Sequence, residues 1–322
     1  MARIPMTRFD QTAADAAAAR QAQLTKPPGS LGRLEDLAVF MAGWQGTDRP
    51  RLDRVQALVF AGNHGVTAQG ITPFPPAVTA GMVANFDAGG AAINQLCRVA
   101  GADLGVVALD LDRPTADFTQ GPAMTMAEVA EAMARGANAV DPQAQVLLLG
   151  EMGIGNSTVS AALAAACFGG RAEDWVGPGT GAHGDMLAAK VRVVTEGLAR
   201  HAVTGTRDTL AAFGGREQAA ICGAILRARD LRIPVILDGF ICTAAAGVLT
   251  CDDPDVLAHC LIGHESAEPG HRRLIAALGM PPVLSLDMRL GEGSGAAVAL
   301  LVLRAALECH NGMATFAEAG LV

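Results

Sequence analysis

A chain of 322 residues has room for one large domain, or for one domain and a smaller companion. At 51% hydrophobic it is too apolar to be disordered, and a formal net charge of −8 without any lysine- or arginine-rich tract argues against a nucleic-acid partner. Charges interrupt the apolar runs well short of a membrane span, and the opening MARIPMTRFDQ has no leader-like apolar segment, so a cytoplasmic protein with no membrane partner is expected.

The seven cysteines are scattered and form no CxxC pair. Cys97, Cys167, Cys222 and Cys242 stand in apolar contexts, which reads as reduced core thiols rather than a metal site.

The first elements are helical. Residues 10–24 are alanine-rich, KPPGSLG breaks the run at 26–32, and helical spacing resumes over 33–42. Strands then begin to alternate with helices. The expected strands are 55–60, 102–109, 146–149, 233–237, 256–262 and 282–286. Expected helices between and after them include 78–99, interrupted at Gly89-Gly90, then 126–139, 159–167, 185–201, 208–213, 217–229, 244–249, 272–278 and 295–307. About six apolar strands alternating with helices predict an α/β fold, a parallel Rossmann-like sheet covered on both faces. Such sheets bind ligands outside the carboxyl ends of their strands.

The residues able to do chemistry collect in the segments just after strands: Asn63, His64, Glu151, Asp238, His264, Glu265, Ser266 and Glu292. Two of those segments share a design. GEMGIGNST at 150–158 and GEGSG at 291–295 each follow an apolar strand, set glycines around one glutamate, and lead into an alanine-rich helix. Glycines let a backbone take positive φ and let a ligand come close. Ser294 is a candidate cap, leaving helix N–H groups for an anion. Each loop taken alone is equally well read as tight strand-to-helix packing, and the second as a surface turn whose Glu292 meets the helix dipole. GPGTG at 177–181 is a third such turn. None matches a P-loop or an ordered GxGxxG, so a dinucleotide cofactor is discounted. HESAEPGH is not HExxH, and neither a metal nor a cofactor is expected.

Together these stretches resemble one family. KPPGSLGRLEDLA, AGNHGVTAQGITPFPPAVTAGMV, GGAAIN, GEMGIGNST, GPGTG, LDGFICTAAA, HESAEPGH and MRLGEGSGAA, in that order from Lys26 to Ala297, resemble the nicotinate-nucleotide–dimethylbenzimidazole phosphoribosyltransferases of cobalamin lower-ligand synthesis. The resemblance implies a homodimer. It also implies a large α/β catalytic domain at 51–295 and a small helical domain from 1–50 with 296–322. The implied reaction moves the 5-phosphoribosyl group of nicotinate mononucleotide to 5,6-dimethylbenzimidazole or a related azole, giving α-ribazole 5′-phosphate and nicotinate.

The resemblance makes Glu292 the general base and Glu151 a second catalytic carboxylate. It assigns the nucleotide and its phosphate to Gly153, Gly155, Asn156, Gly177, Gly179, Thr180, Gly181, Lys190 and Ser266. The base pocket falls to Thr72, Pro73, Phe74 and Leu290. Gly81 stands where many members have glutamine, which implies looser base selectivity. A non-catalytic nucleotide sensor and an N-glycosidic hydrolase are the rival readings. The first would tolerate loss of Glu292, which is present, and the second needs room for water beside the base.

Overall fold

The computed structural model describes residues 9–321. Most of the opening segment that was read for a leader therefore lies outside the described residues. In chain order the elements are α1 (Gln11–Gln23), α2 (Arg33–Gln45), β1 (Val55–Ala61), α3 (Ala77–Asp87), α4 (Ala92–Ala100), β2 (Asp103–Ala108), α5 (Met126–Ala139) and β3 (Val146–Met152). Then come α6 (Asn156–Phe168), α7 (Asp185–Arg200), α8 (Gly205–Phe213), α9 (Arg216–Asp230), β4 (Val235–Leu237) and α10 (Phe240–Val248). The last are β5 (Cys260–Ile262), β6 (His264–Glu265), α11 (Pro269–Leu278), β7 (Leu284–Ser285) and α12 (Ser294–Gly312).

Five strands form one wholly parallel sheet in the order β2-β1-β3-β4-β5. The central strands are apolar on both sides because helices cover both faces. Side chains alternate along a strand, and here the alternation sorts the core in two. Leu58, Phe60, Leu147, Leu149 and Leu237 enter the layer built with α5, α6, α8, α9 and α10. Val55, Ala57, Val59, Val146, Leu148 and Ile236 enter the layer built with α2, α4 and α12. Continuing that parity along β3 sends Glu151 toward the α6 layer and Gly150 toward the α12 layer. This parity decides the geometry of the site.

The expected sixth strand is not a member of this sheet. Residues 284 and 285 form β7, which pairs in parallel with β6 as a separate two-stranded ribbon. Pro281 and Pro282 cannot donate to a ladder, and Ser285 and Leu286 are exposed, so the segment stays at an edge. It rides on the continuation of β5: the Val283 amide donates to Ile262 O and the Leu284 amide to Gly263 O. The expected strand at 256–262 is likewise shorter, confined to β5.

The two ends of the chain meet. Arg20 donates to the carbonyls of His310 and Met313, both at 2.9 Å, and Leu24 bridges Thr315. Leu37, Ala38 and Met41 of α2 share the core layer of α12.

Candidate active site

The carboxyl ends of β3, β4 and β6 and the turns around α6 and α12 line a cleft. Glu151 stands next to last in β3 and lines it. Its carboxylate is buried, and the Asn156 amide donates to Oε2. Burial is the main cause that pushes its pKa up to about 8, with Asp238 and Glu217 adding to the rise and Asn156 opposing it. Glu151 is therefore largely protonated at neutral pH.

Glu292 arrives from the other side of the sheet. Gly150 has no side chain to separate β3 from the α12 turn, and a Cβ there would lie 2.5 Å from Gly293 N and 2.6 Å from Glu292 O. The Glu292 amide donates to Glu151 O at 3.2 Å, so the two glutamates are tied backbone to backbone. Glu292 itself is in the left-handed region, φ 63°, between Gly291 at 86° and Gly293 at 85°. Its Oε2 is buried without a partner. Burial raises its pKa, the Ile93 backbone amide works against that, and Asp238 adds to it.

Asp238 follows β4 and is wholly buried. Its Oδ1 accepts from the amides of Gly295 at 2.7 Å and Ala296 at 3.1 Å, and its Oδ2 from Gly293 at 3.2 Å. The anion at the start of α12 is thus the protein's own. Ser294 is not the cap: the N-cap position is Gly293, and the Ser294 hydroxyl is buried without a partner. Local sequence suggested a serine cap, but a carboxylate from another strand reaches more of the free amides.

The start of α6 is different. It has Gly155 at the N-cap, φ 91°, with no side chain on its free amides. Beside it Lys190 donates to Ser157 Oγ at 3.1 Å and to Gly177 O at 2.6 Å. Burial lowers the Lys190 pKa to about 8, with Glu268 opposing. Glu268 Oε1 accepts from the Gly179 amide at 2.9 Å, and its Oε2 is buried and unpartnered. Ser266 is fixed by its amide donating to His271 Nδ1 at 2.9 Å, while burial depresses His271 to about 3 and keeps it neutral. His64 Nε2 lies 2.9 Å from Glu217 Oε1, both fully buried, and a Cβ on Gly153 would lie 3.0 Å from that nitrogen. The arrangement offers an open helix N-terminus with a lysine behind it for an anion, and a carboxylate, Glu151, beside that helix start with Glu292 tied to its backbone.

A family model described as phosphoribosyltransferase matches residues 6–321. The chain belongs to this phosphoribosyltransferase family. It is 61% identical over 319 residues to a Rhodobacter capsulatus nicotinate-nucleotide–dimethylbenzimidazole phosphoribosyltransferase, covering 99% of this chain and 95% of that protein. The protein of the same name from Roseobacter denitrificans is 62% identical over 313 residues, covering 97% and 93%. The crystal structure of the Thermus thermophilus enzyme of that name superposes with a TM-score of 0.91 at 40% identity, covering 98% of this chain and 99% of that one. The structure of CobT from the same organism gives 0.91 at 41%, covering 96% and 98%.

In this phosphoribosyltransferase the cleft brings together Glu151, Gly153, Gly155, Asn156, Gly179, Thr180, Ser266 and Leu290. Lys190 and Gly177 stand one step behind, joined to each other and to Ser157. Glu292 is behind Gly291, which lines the cleft. Gly181 does not line it, nor do Thr72, Pro73, Phe74 and Gly81. Phe74 is 44% exposed, and a Cβ on Gly81 would meet nothing within 4 Å. The proline-rich loop does touch the site indirectly, since Thr79 in α3 accepts from the Ile154 amide at 3.3 Å.

Among the other lining residues, Phe240, Glu268 and Arg289 had no place among the expected site residues. Glu268 was visible in HESAEPGH, as the second carboxylate of a segment after a strand. Arg289 and Phe240 carry no local signal of this kind.

Proposed function

We propose that the cleft transfers the 5-phosphoribosyl group of nicotinate mononucleotide to 5,6-dimethylbenzimidazole or a related azole, releasing nicotinate, as a step in cobalamin nucleotide-loop assembly. One observation carries the reading: the uncapped N-terminus of α6 and Glu151 line one cleft, and the Glu151 backbone is tied to Glu292, whose Oε2 is buried without a partner. The names of the relatives point the same way.

The substrate's phosphate goes to the α6 N-terminus, the 177–181 turn, Lys190 and Ser266. The azole nitrogen attacks the ribose C1′ while the bond from C1′ to the pyridinium nitrogen breaks. The leaving ring takes the bonding pair and departs as neutral pyridine nitrogen, so it needs no proton. The azole N–H proton passes to Glu292. Binding of the pyridinium cation favours the ionised form of Glu151, its proton is released to solvent, and the carboxylate then stabilises the cationic ribosyl centre, as carboxylates do in glycosidic cleavage. No diphosphate forms, so the chemistry calls for no divalent ion.

The working unit is a pair of identical chains. Supporting this, α3 buries only Thr79 and Phe86 of its eleven residues, and Phe74, Val99, Leu286 and Leu290 are exposed. The small helical unit of 1–50 with 296–322 stands on the bonds between Arg20 and the C-terminal carbonyls. A cytoplasmic site of action suits seven unbridged cysteines. Incubation with nicotinate mononucleotide and a panel of azoles, followed by mass spectrometry, tests the assignment. Azole ribotide masses are expected, and nicotinate with free ribose 5-phosphate alone would turn the assignment to the hydrolase.

A further inference from the structure

Three consecutive residues, Gly291, Glu292 and Gly293, hold left-handed φ values, and the middle one is not glycine. A glutamate resists that conformation, so the turn must be held from outside. Upstream, the Glu292 amide is fixed to Glu151 O. Downstream, the first fixed point is the Gly293 amide on Asp238 Oδ2. The two oxygens of Asp238 divide the work. Oδ1 takes two amides of α12, and Oδ2 takes the turn that carries Glu292.

We propose that Asp238 is a positioning residue for Glu292, clamping the left-handed turn through the Gly293 amide and setting the charge under which Glu292 works. This rests on the reading of Glu292 as the base. The Asp238 backbone is itself pinned, its amide donating to Leu149 O at 3.3 Å. The groups facing its carboxylate are His264 on β6, 3.5 Å away, with Glu151 on β3, Cys242 on α10 and Glu292 on the turn. Burial raises the Asp238 pKa, with His264 and the amides of Ala296, Gly295 and Gly293 opposing, and in its ionised form Asp238 disfavours ionisation of both glutamates.

Asp238→Asn separates clamp from cap. A carbonyl in the Oδ1 place still accepts from Gly295 and Ala296, so α12 keeps its start. The new NH₂ group meets the Gly293 N–H donor to donor and frees the turn. The charge is lost as well. The expected result is a folded protein that binds nicotinate mononucleotide as before. Its kcat falls about a hundredfold, the size of a misplacement of order 1 Å. The acid limb of the kcat profile moves to lower pH, because Glu292 ionises more readily without Asp238. A residue with only a structural role would lower the melting temperature and leave that limb in place.

Asp238→Glu is the companion variant. It keeps the charge and shifts the oxygens, so kcat falls while the acid limb stays near the wild-type pH. Wild-type kcat in Asp238→Asn, or an unmoved limb, overturns the proposal. Failure of both variants to fold also overturns it, since Asp238 would then serve the core. Glu292→Gln is measured alongside: if it turns over normally, the base assignment fails. If it is inactive while Asp238→Asn is normal, only the role of Asp238 fails.

Discussion

The turns at 150–156 and 291–295 share a composition and do opposite things. Each sets a glutamate among glycines between a strand and a helix. In the first, the glutamate still belongs to β3, its side chain is held by Asn156, and the helix behind it starts without a side-chain cap. In the second, the glutamate is in the turn proper, one oxygen is free, and the helix start is filled by Asp238. One turn leaves its helix amides without a side-chain cap and holds its acid through Asn156. The other spends its amides internally and leaves its acid free. A glycine-rich turn with a glutamate thus has no fixed meaning, and the partner supplied by another strand decides which group is left for chemistry.

The sharpest test of that contrast is Glu292→Gln. Loss of a general base costs about 10²–10⁴-fold in rate, with nucleotide binding retained. Burial and Asp238 raise the Glu292 pKa, so the wild-type rate should fall on acidification at a pH above the ordinary glutamate value, and the Gln variant should lack that limb. Near-normal turnover would transfer the base role to Glu151.

On the anion side, Lys190→Ala should lower kcat/KM for nicotinate mononucleotide roughly 10- to 100-fold, the worth of a charged hydrogen bond. Nicotinate riboside, which lacks the phosphate, should be a poor substrate for the wild type and no poorer for the variant. Equal turnover of riboside and nucleotide by the wild type would mean that the first turn serves packing.

The contact between the turns is probed by Gly150→Ala. Its Cβ would meet the backbone of Glu292 and Gly293, which cannot yield as a side chain can. Overpacking of this kind costs about 1–3 kcal/mol, readable in urea unfolding, and kcat should drop with it because Glu292 is displaced. Unchanged stability and rate would show that the two turns are not coupled.

A smaller effect is expected from Glu151→Gln on pH-dependent stability. The folded pKa of about 8 lies above the ordinary value, so the protonated side chain favours the fold fully at pH below that ordinary value. This contribution is lost as pH rises toward about 8, and Gln should flatten that slope. Nucleotide binding at neutral pH should release a proton from the wild type and none from Glu151→Gln, measured by calorimetry in buffers of different ionisation enthalpy. The smallest effect expected is that of excess chelator, which should leave the rate unchanged. Loss restored by a divalent ion would count against the mechanism.

The sequence by itself determined the alternation of strand and helix, because buried parallel strands read as unbroken apolar runs bounded by glycine. It also placed Asp238 and Glu292 after strands, whereas Glu151 proved to be the next-to-last residue of β3. It overran at 282–286, where an apolar composition masked two prolines and an exposed edge. It placed Thr72, Pro73, Phe74 and Gly81 in a base pocket that the cleft of a single chain does not include. Only the tertiary structure decided that Glu151 and Glu292 reach one edge from opposite faces of the sheet. Side-chain parity on β3 and the missing side chain of Gly150 bring them together, and neither has meaning until strands pair. Asp238 was visible as an acid after a strand, but its three amide partners lie more than fifty residues away in the chain. Local sequence could name a nearby serine as the cap. Burial then ranked the acids, by desolvating Glu151 among other carboxylates and leaving one oxygen of Glu292 without a partner.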